Sequence, residues 1–338
     1  MISLDSVTIA IVLVVILALS FDFINGFHDT ANAIATSIST KALPPRVAVL
    51  LAAAMNFLGA MVFTGVAKTI GGSIADPFKL EQGMYIVIAA LIAGIAWNLI
   101  TWYYGIPSSS SHALIGSLTG AVIAATGFSG VNLGGLIRII EALLLSPILA
   151  FIVGFTVMSI IRFIFRNAHP ARLNRNFRFL QIFTAAGQAF THGTNDAQKC
   201  MGIITFALVA GGLQADLEVA IWVKVSCATA IALGTSFGGW KIIKTVGTRI
   251  IKLEPSNGFA ADLSSAMIIF TATMLKLPVS TTHVISTAIM GVGSAKRISA
   301  VRWETAQKMV VAWLITLPIT MVFAGLTFTL MNLLFGIL

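Results

Sequence analysis

The chain has 338 residues, of which 57% are hydrophobic and only 10% charged, and its 21 Lys and Arg outnumber its 12 Asp and Glu for a net charge of +9. A soluble domain carries about 25% charged residues, so this composition, with a mean hydropathy of +0.96, excludes one and points to a chain embedded in lipid. In that setting surplus Lys and Arg belong to cytoplasmic loops, so a nucleic-acid partner is not expected.

An apolar run over residues 7–21 opens the chain. It lacks a basic flank before it and a small-residue cleavage site after it, so it is read as a retained span rather than a signal peptide. Asp22 and the polar motif Asn25-Gly26-Phe27-His28-Asp29-Thr30-Ala31-Asn32 follow directly. Apolar runs 47–66 and 84–104 come next, then Pro107-Ser108-Ser109-Ser110-Ser111-His112, then the run 136–165. Beyond a basic stretch at 166–178 lie His192-Gly193-Thr194-Asn195-Asp196-Ala197-Gln198-Lys199, the run 219–238, Pro278-Val279-Ser280-Thr281-Thr282-His283, and a last run over 309–338. Several runs reach the roughly 20 residues that cross a bilayer and none alternates like a barrel strand, which predicts an all-α polytopic membrane protein of about 10–12 segments. Cys200 and Cys227 suit neither a metal site nor a disulfide framework and read as small apolar fillers.

Both polar motifs occur twice at nearly one offset: Asn25 pairs with His192 and Pro107 with Pro278. This predicts duplication of the chain, with a first repeat at 1–165, a basic cytoplasmic link at 166–178 and a second repeat at 179–338. Equivalent loops contrast in charge. Lys41 and Arg46 correspond to Asp216 and Glu218; the mixed set Lys68, Asp76, Lys79 and Glu81 corresponds to the basic set Lys241, Lys244, Arg249 and Lys252 with Glu254; the uncharged loop 127–135 corresponds to Lys296, Arg297 and Arg302. Contrast is the mark of inverted topology, and it puts both termini on the non-cytoplasmic side.

Asp22, Asp29 and Asp196 lie in apolar surroundings, where an ionised carboxylate costs about 3 kcal/mol or more without a partner or an ion. With Gly26 or Gly193 and the amides of Asn25, Asn32 and Asn195, they suit an interrupted helix whose oxygens ligate Na⁺; proton exchange on Asp or His is the alternative. The second motif has hydroxyls without carboxylates. Pro107 or Pro278 favours a helix start, Ser and Thr cap it, and its free N–H groups bind a tetrahedral oxyanion. Two such ends from opposite repeats form a cage of donors for that anion. His28, His112, His192 and His283 read as positioning residues, since no paired zinc-helix spacing appears. Lys199 stands where the first repeat has Asn32; attraction of the anion, pairing with Asp196 and snorkelling to an interface are all open to it. Glu141 reads as a structural charge.

The run from Gly26 to Ala33 and its echo from His192 to Ala197 resemble the paired signatures of the PiT inorganic phosphate transporters, and the two Pro-Ser/Thr-His segments resemble a second family element. The segments 234–247 and 258–261 resemble connections of its bacterial members. The resemblance covers essentially the whole chain. It implies cation-coupled phosphate import by a homodimeric, multi-pass protein of the plasma (inner) membrane, built from two inverted repeats with interrupted or re-entrant helices. Its motif positions carry over as Asp29, Asn32, Asn195 and Asp196 for cation and phosphate coupling and as Ser109, Ser110, Ser111, Ser280, Thr281 and Thr282 for phosphate. Taken with the residue reading, Asp22, Asn25, Asp29, Asn195 and Asp196 are the expected Na⁺ ligands, and Asn32 and Gln198 join the expected phosphate ligands. His28 and Lys199 replace Asn of the usual signatures, and Asn56 stands where eukaryotic relatives have Glu. A sulfate carrier of the same fold is one rival reading. An integral-membrane phosphatase, from the faint likeness of Pro107-Ser108 ahead of His112, is another, and a channel a third.

Overall fold

The computed structural model describes residues 6–75 and 82–336. The charges Asp76, Lys79 and Glu81 and both chain ends lie outside the described residues. Those described form twelve α-helices and two short 3₁₀ turns, with no strand among them. The first six are α1 (Ser6–Ser39), α2 (Pro45–Ala60), α3 (Gly65–Ser73), α4 (Gly83–Tyr104), α5 (Ser110–Thr126) and α6 (Leu133–Ile164). The second six are α7 (Pro170–Ala210), α8 (Ile221–Phe237), α9 (Trp240–Thr248), α10 (Pro255–Met274), α11 (Thr281–Lys296) and α12 (Trp303–Phe335). Each series is a long motif-bearing helix, a short pair, a mid-length helix, a helix opened by the Ser/Thr segment, and a last long helix holding one internal proline, Pro147 or Pro318.

Residues 8–39 of α1, with α4, α6 and α12, are individually long and apolar enough to cross a membrane, and the pair α8–α9, bent by 73°, makes a fifth candidate. A helix of 32 residues extends about 48 Å against a hydrocarbon layer of about 30 Å, so these spans must tilt or protrude. The longest helix, α7, carries Arg172, Arg175 and Arg178 in its first third. The basic link is therefore helical from Pro170 onward, that proline occupying the first turn where its missing N–H costs nothing.

Packing exchanges the halves. α5 lies along α12 and α11 along α6, while α1 packs on α8 and α9, and α7 on α2 and α3. Leu144, Ile148 and Ile152 of α6 and Leu314, Val322 and Leu326 of α12 face outward, whereas the buried set is unusually rich in Ser, Thr, Asn, Gln and Asp. Apolar surface toward lipid around a polar interior is the pattern of a membrane carrier.

The expected helix interruptions fall elsewhere than at the motif glycines. α1 and α7 run unbroken through Gly26 and Gly193. A Cβ at Gly193 would stand 2.7 Å from Asn56 Cα of α2, and one at Gly26 would stand 2.9 Å from Thr235 N of α8. These glycines permit backbone-to-backbone helix crossing, as small residues do in membrane interiors. The breaks occur instead at the α8–α9 bend and at the extended segments that lead into α5 and α11.

Candidate functional site

The approach to α5 is extended because Pro107 disfavours helix, and the chain turns helical once Ser109 supplies a cap. Ser109 Oγ accepts from His112 N at 3.1 Å, and at the equivalent place Ser280 Oγ accepts from His283 N at 3.3 Å. Two of the four serines expected as phosphate ligands, Ser109 and Ser280, thus serve as N-caps, and they set where each helix begins. Ser110, Ser111, Thr281 and Thr282 fill the first turns, all buried. Ser111 donates to Val279 O at 2.8 Å, tying the start of α5 to the approach of α11.

The middles of α1 and α7 lie against these two helix starts. Asp29 Oδ1 accepts from His28 Nδ1 at 2.8 Å and from Thr282 Oγ1 at 3.1 Å, and its Oδ2 accepts from Ser110 Oγ at 3.0 Å. One carboxylate is therefore held by hydroxyls from both halves. Asp196 Oδ2 accepts from Thr281 Oγ1 at 3.2 Å and Asn25 Nδ2 at 3.4 Å, and its Oδ1 from Lys199 Nζ at 2.7 Å. Asn32 Nδ2 donates to Thr281 and Thr282 at 3.2 and 2.9 Å. Ligand atoms of Asp29, His192 and Asp196 lie within 4.8 Å of one another.

The environment of these groups is electron-rich. Asn56 Nδ2 donates to Thr235 Oγ1 at 2.9 Å, which leaves Asn56 Oδ1 to accept from His192 Nδ1 at 3.0 Å. His192 Nε2 then faces Asp196 Oδ2 at 3.4 Å. A ring lone pair against a carboxylate needs a positive charge between them, a proton or a metal cation. Both oxygens of Asp22 and the side-chain oxygens of Asn25 and Asn32 are buried without a hydrogen-bond partner among the described residues. Beside Asp22 stand the thiols of Cys200 and Cys227, which are weak donors. The only two cysteines of the chain thus converge on one carboxylate instead of serving as dispersed fillers. Buried oxygens without donors cost free energy unless an ion or proton satisfies them.

The description "phosphate transporter family" belongs to a family model that matches residues 25–174 and 165–324. The chain belongs to this family. A probable low-affinity inorganic phosphate transporter of Bacillus subtilis is 59% identical over 333 residues, covering 98% of this chain and 100% of the relative. A protein of the same description from Rhizobium meliloti is 47% identical over 92% of this chain and 93% of its own. A solved structure titled "The sodium-dependent phosphate transporter" matches with a TM-score of 0.87 at 25% identity, covering 96% of this chain and 99% of that one. The family is one of membrane transporters and not of enzymes, so the phosphatase reading falls.

Not every expected residue of this transporter joins the central cluster. Gln198 turns away: its Oε1 accepts from Val66 N at 2.8 Å and Ala67 N at 3.2 Å, and its Nε2 donates to Thr194 O. Both ends of that amide are consumed by backbone, and it satisfies the free N–H groups at the start of α3 instead of facing an anion. Asn195 likewise reaches Thr273 Oγ1 at 3.1 Å, Leu277 O at 3.2 Å and Val279 N at 3.2 Å, holding the extended approach to α11 rather than sitting among the carboxylates. His112 and His283 lie 4.6 Å apart by ring centroids, with His283 stacked at 4.0 Å on Trp313. They line an apolar cavity between α6 and α12 of about 560 Å³, away from the aspartates.

Sequence reading missed Asp262 of α10. It is fully buried, accepting from Thr36 Oγ1 at 2.6 Å and Gln181 Nε2 at 3.4 Å. Gln188 also escaped notice, although it links Asn32 O at 3.3 Å to Ser265 Oγ at 2.8 Å. Neither has a polar counterpart in the other half of the sequence, and the repeat was the signal that identified most of the rest.

Proposed function

We propose that this transporter imports inorganic phosphate coupled to Na⁺, with phosphate held by the starts of α5 and α11 and positive charge by Asp29 and Asp196. The observation that carries the reading is that hydroxyls of both helix starts, Ser110, Thr281 and Thr282, already bond to these two carboxylates. A hydroxyl donating to a carboxylate cannot donate to phosphate, because it has one proton. A cation that takes over the carboxylate lone pairs frees those donors, and the first-turn N–H groups beside them add the helix dipole. It also removes the repulsion between carboxylate and phosphate. Cation binding and phosphate binding are then favourable only together, which is the requirement for coupled transport. The unpaired oxygens of Asp22, Asn25 and Asn32 complete the hard-oxygen environment that Na⁺ prefers.

Residues 1–165 and 179–338 act in this reading as inverted repeats about the link 166–178. The recurring six-helix series, the exchange of α5 and α11 between halves and the two stretches that match one family model support it. Both termini are placed on the non-cytoplasmic side of the plasma membrane, a topology supported by the loop charges, and a homodimer follows from the family resemblance.

Purified protein in proteoliposomes tests the coupling ion. A tenfold inward Na⁺ gradient supplies about 1.4 kcal/mol per ion, so phosphate accumulates against its own gradient when Na⁺ is imposed and not when K⁺ replaces it. Equal accumulation driven by a proton gradient in Na⁺-free medium would overturn the choice of Na⁺.

A further inference from the structure

We infer that Lys199 is a built-in counter-ion that takes the place of one transported cation in the second half of the site. The inference rests on the Na⁺ reading above and refines it. Each motif helix presents an aspartate and, three residues later on the same face, a second polar residue: Asp29 with Asn32 on α1, Asp196 with Lys199 on α7. The two halves treat that second position differently. On α1 the Asn32 nitrogen is spent on Thr281 and Thr282, and its oxygen is left without a partner one turn from Asp29. Asp29 itself is bonded by His28, Ser110 and Thr282, and no Lys or Arg among the described residues contacts it. A carboxylate and an unpartnered amide oxygen one helical turn apart make a ligand set for a hard cation.

On α7 the ligand oxygen is replaced by an ammonium. Lys199 is 1% exposed, and its Nζ lies 2.7 Å from Asp196 Oδ1. Asp22, with both oxygens unpaired by nitrogen or oxygen donors, and Asp29 both stand within electrostatic reach of the same ammonium, which bonds directly only to Asp196 among the described residues. The ammonium paired with Asp196 repels any second cation entering within a few ångströms. Charge counting gives the consequence. Asp22, Asp29 and Asp196 bring three carboxylates to the centre and Lys199 returns one positive charge, so the site takes up one mobile cation fewer than it would with asparagine at position 199.

Two measurements test this. Radioactive Na⁺ bound per phosphate by the purified wild-type protein at saturating phosphate is expected to be lower by one than in Lys199→Asn. The Na⁺-to-phosphate coupling ratio, from the membrane potential at which phosphate flux reverses in proteoliposomes, is expected to rise by one in the same variant. Lys199→Arg, which keeps the charge, is expected to leave both at the wild-type value. The wild-type count does not depend on the variant folding: one or two Na⁺ per phosphate, fewer than the three carboxylates of the central site, supports the inference, and three overturns it while leaving the Na⁺ reading intact. A wild-type count of zero overturns the Na⁺ reading and the inference with it. A correctly folded Lys199→Asn with an unchanged count and ratio also overturns the inference.

Discussion

Asp29→Asn and Asp196→Asn each lower the initial rate of Na⁺-driven phosphate uptake by about a hundredfold or more, because each removes at least two charge-assisted hydrogen bonds of about 1.5–3 kcal/mol apiece. The amide also turns an N–H₂ toward groups that are themselves donors. At Asp29 these are His28, Ser110 and Thr282; at Asp196 they are Lys199, Thr281 and Asn25. The ammonium of Lys199 would lose the one carboxylate that bonds it among the described residues and stand buried. Glu141, exposed on α6, serves as the control: Glu141→Gln is expected to transport within about twofold of wild type, since exposed charges contribute little. The check is uptake into proteoliposomes matched for incorporated protein, and wild-type rates from both aspartate variants would sink the site.

Gly193→Ala has the second largest expected effect, and it acts through packing. A methyl there meets Asn56 backbone atoms at 2.7 and 2.8 Å, which neither helix can relieve by rotating a side chain. Overpacking of this kind costs about 1–3 kcal/mol and sometimes more. The displacement also reaches the site, because Asn56 orients His192 and His192 faces Asp196. Gly187 on the same helix is the matched control, with nothing within 4 Å of an added Cβ. Alanine there is expected to be neutral or to stabilise by up to about 1 kcal/mol from helix propensity. Thermal unfolding in detergent, followed by size-exclusion chromatography, should show Gly193→Ala well below wild type and Gly187→Ala at or above it. Equal melting of the three proteins would mean that α2 and α7 do not cross at Gly193.

Much of this was legible in the sequence because duplication amplifies weak signals. A single Ser/Thr run or a single buried aspartate says little, yet Asp29 with Asp196 and Ser110 with Thr281 recur at nearly one offset and meet at one place. The helix boundaries at α4, α6 and α8 followed from length and apolarity alone. The illegible part has two physical causes. Glycine has two uses in membrane helices, breaking and close crossing, and no local pattern separates them; Gly26 and Gly193 were assigned to the first and serve the second. Polar residues likewise have two uses, ligand and cap, and the choice depends on what another helix leaves unsatisfied. Gln198 spends both ends of its amide on the start of α3 and on Thr194 O, while Ser109 and Ser280 cap their helices through an acceptor lone pair and not through the hydroxyl proton that an anion would take. Asp262 has no repeat partner, and the signal that marked Asp22, a carboxylate in apolar surroundings, went unread there because the adjoining segment 258–261 was taken only as a connection.

The central claim is that cation and phosphate share one site in which each makes the other's binding favourable. Phosphate affinity of the purified protein, measured by calorimetry at constant ionic strength with Na⁺ or choline as the cation, tests it most directly. A coupling free energy of about 1–3 kcal/mol gives roughly 5- to 150-fold tighter phosphate binding in Na⁺, and Asp29→Asn should abolish the difference. Equal phosphate affinity in the two media would contradict the shared site.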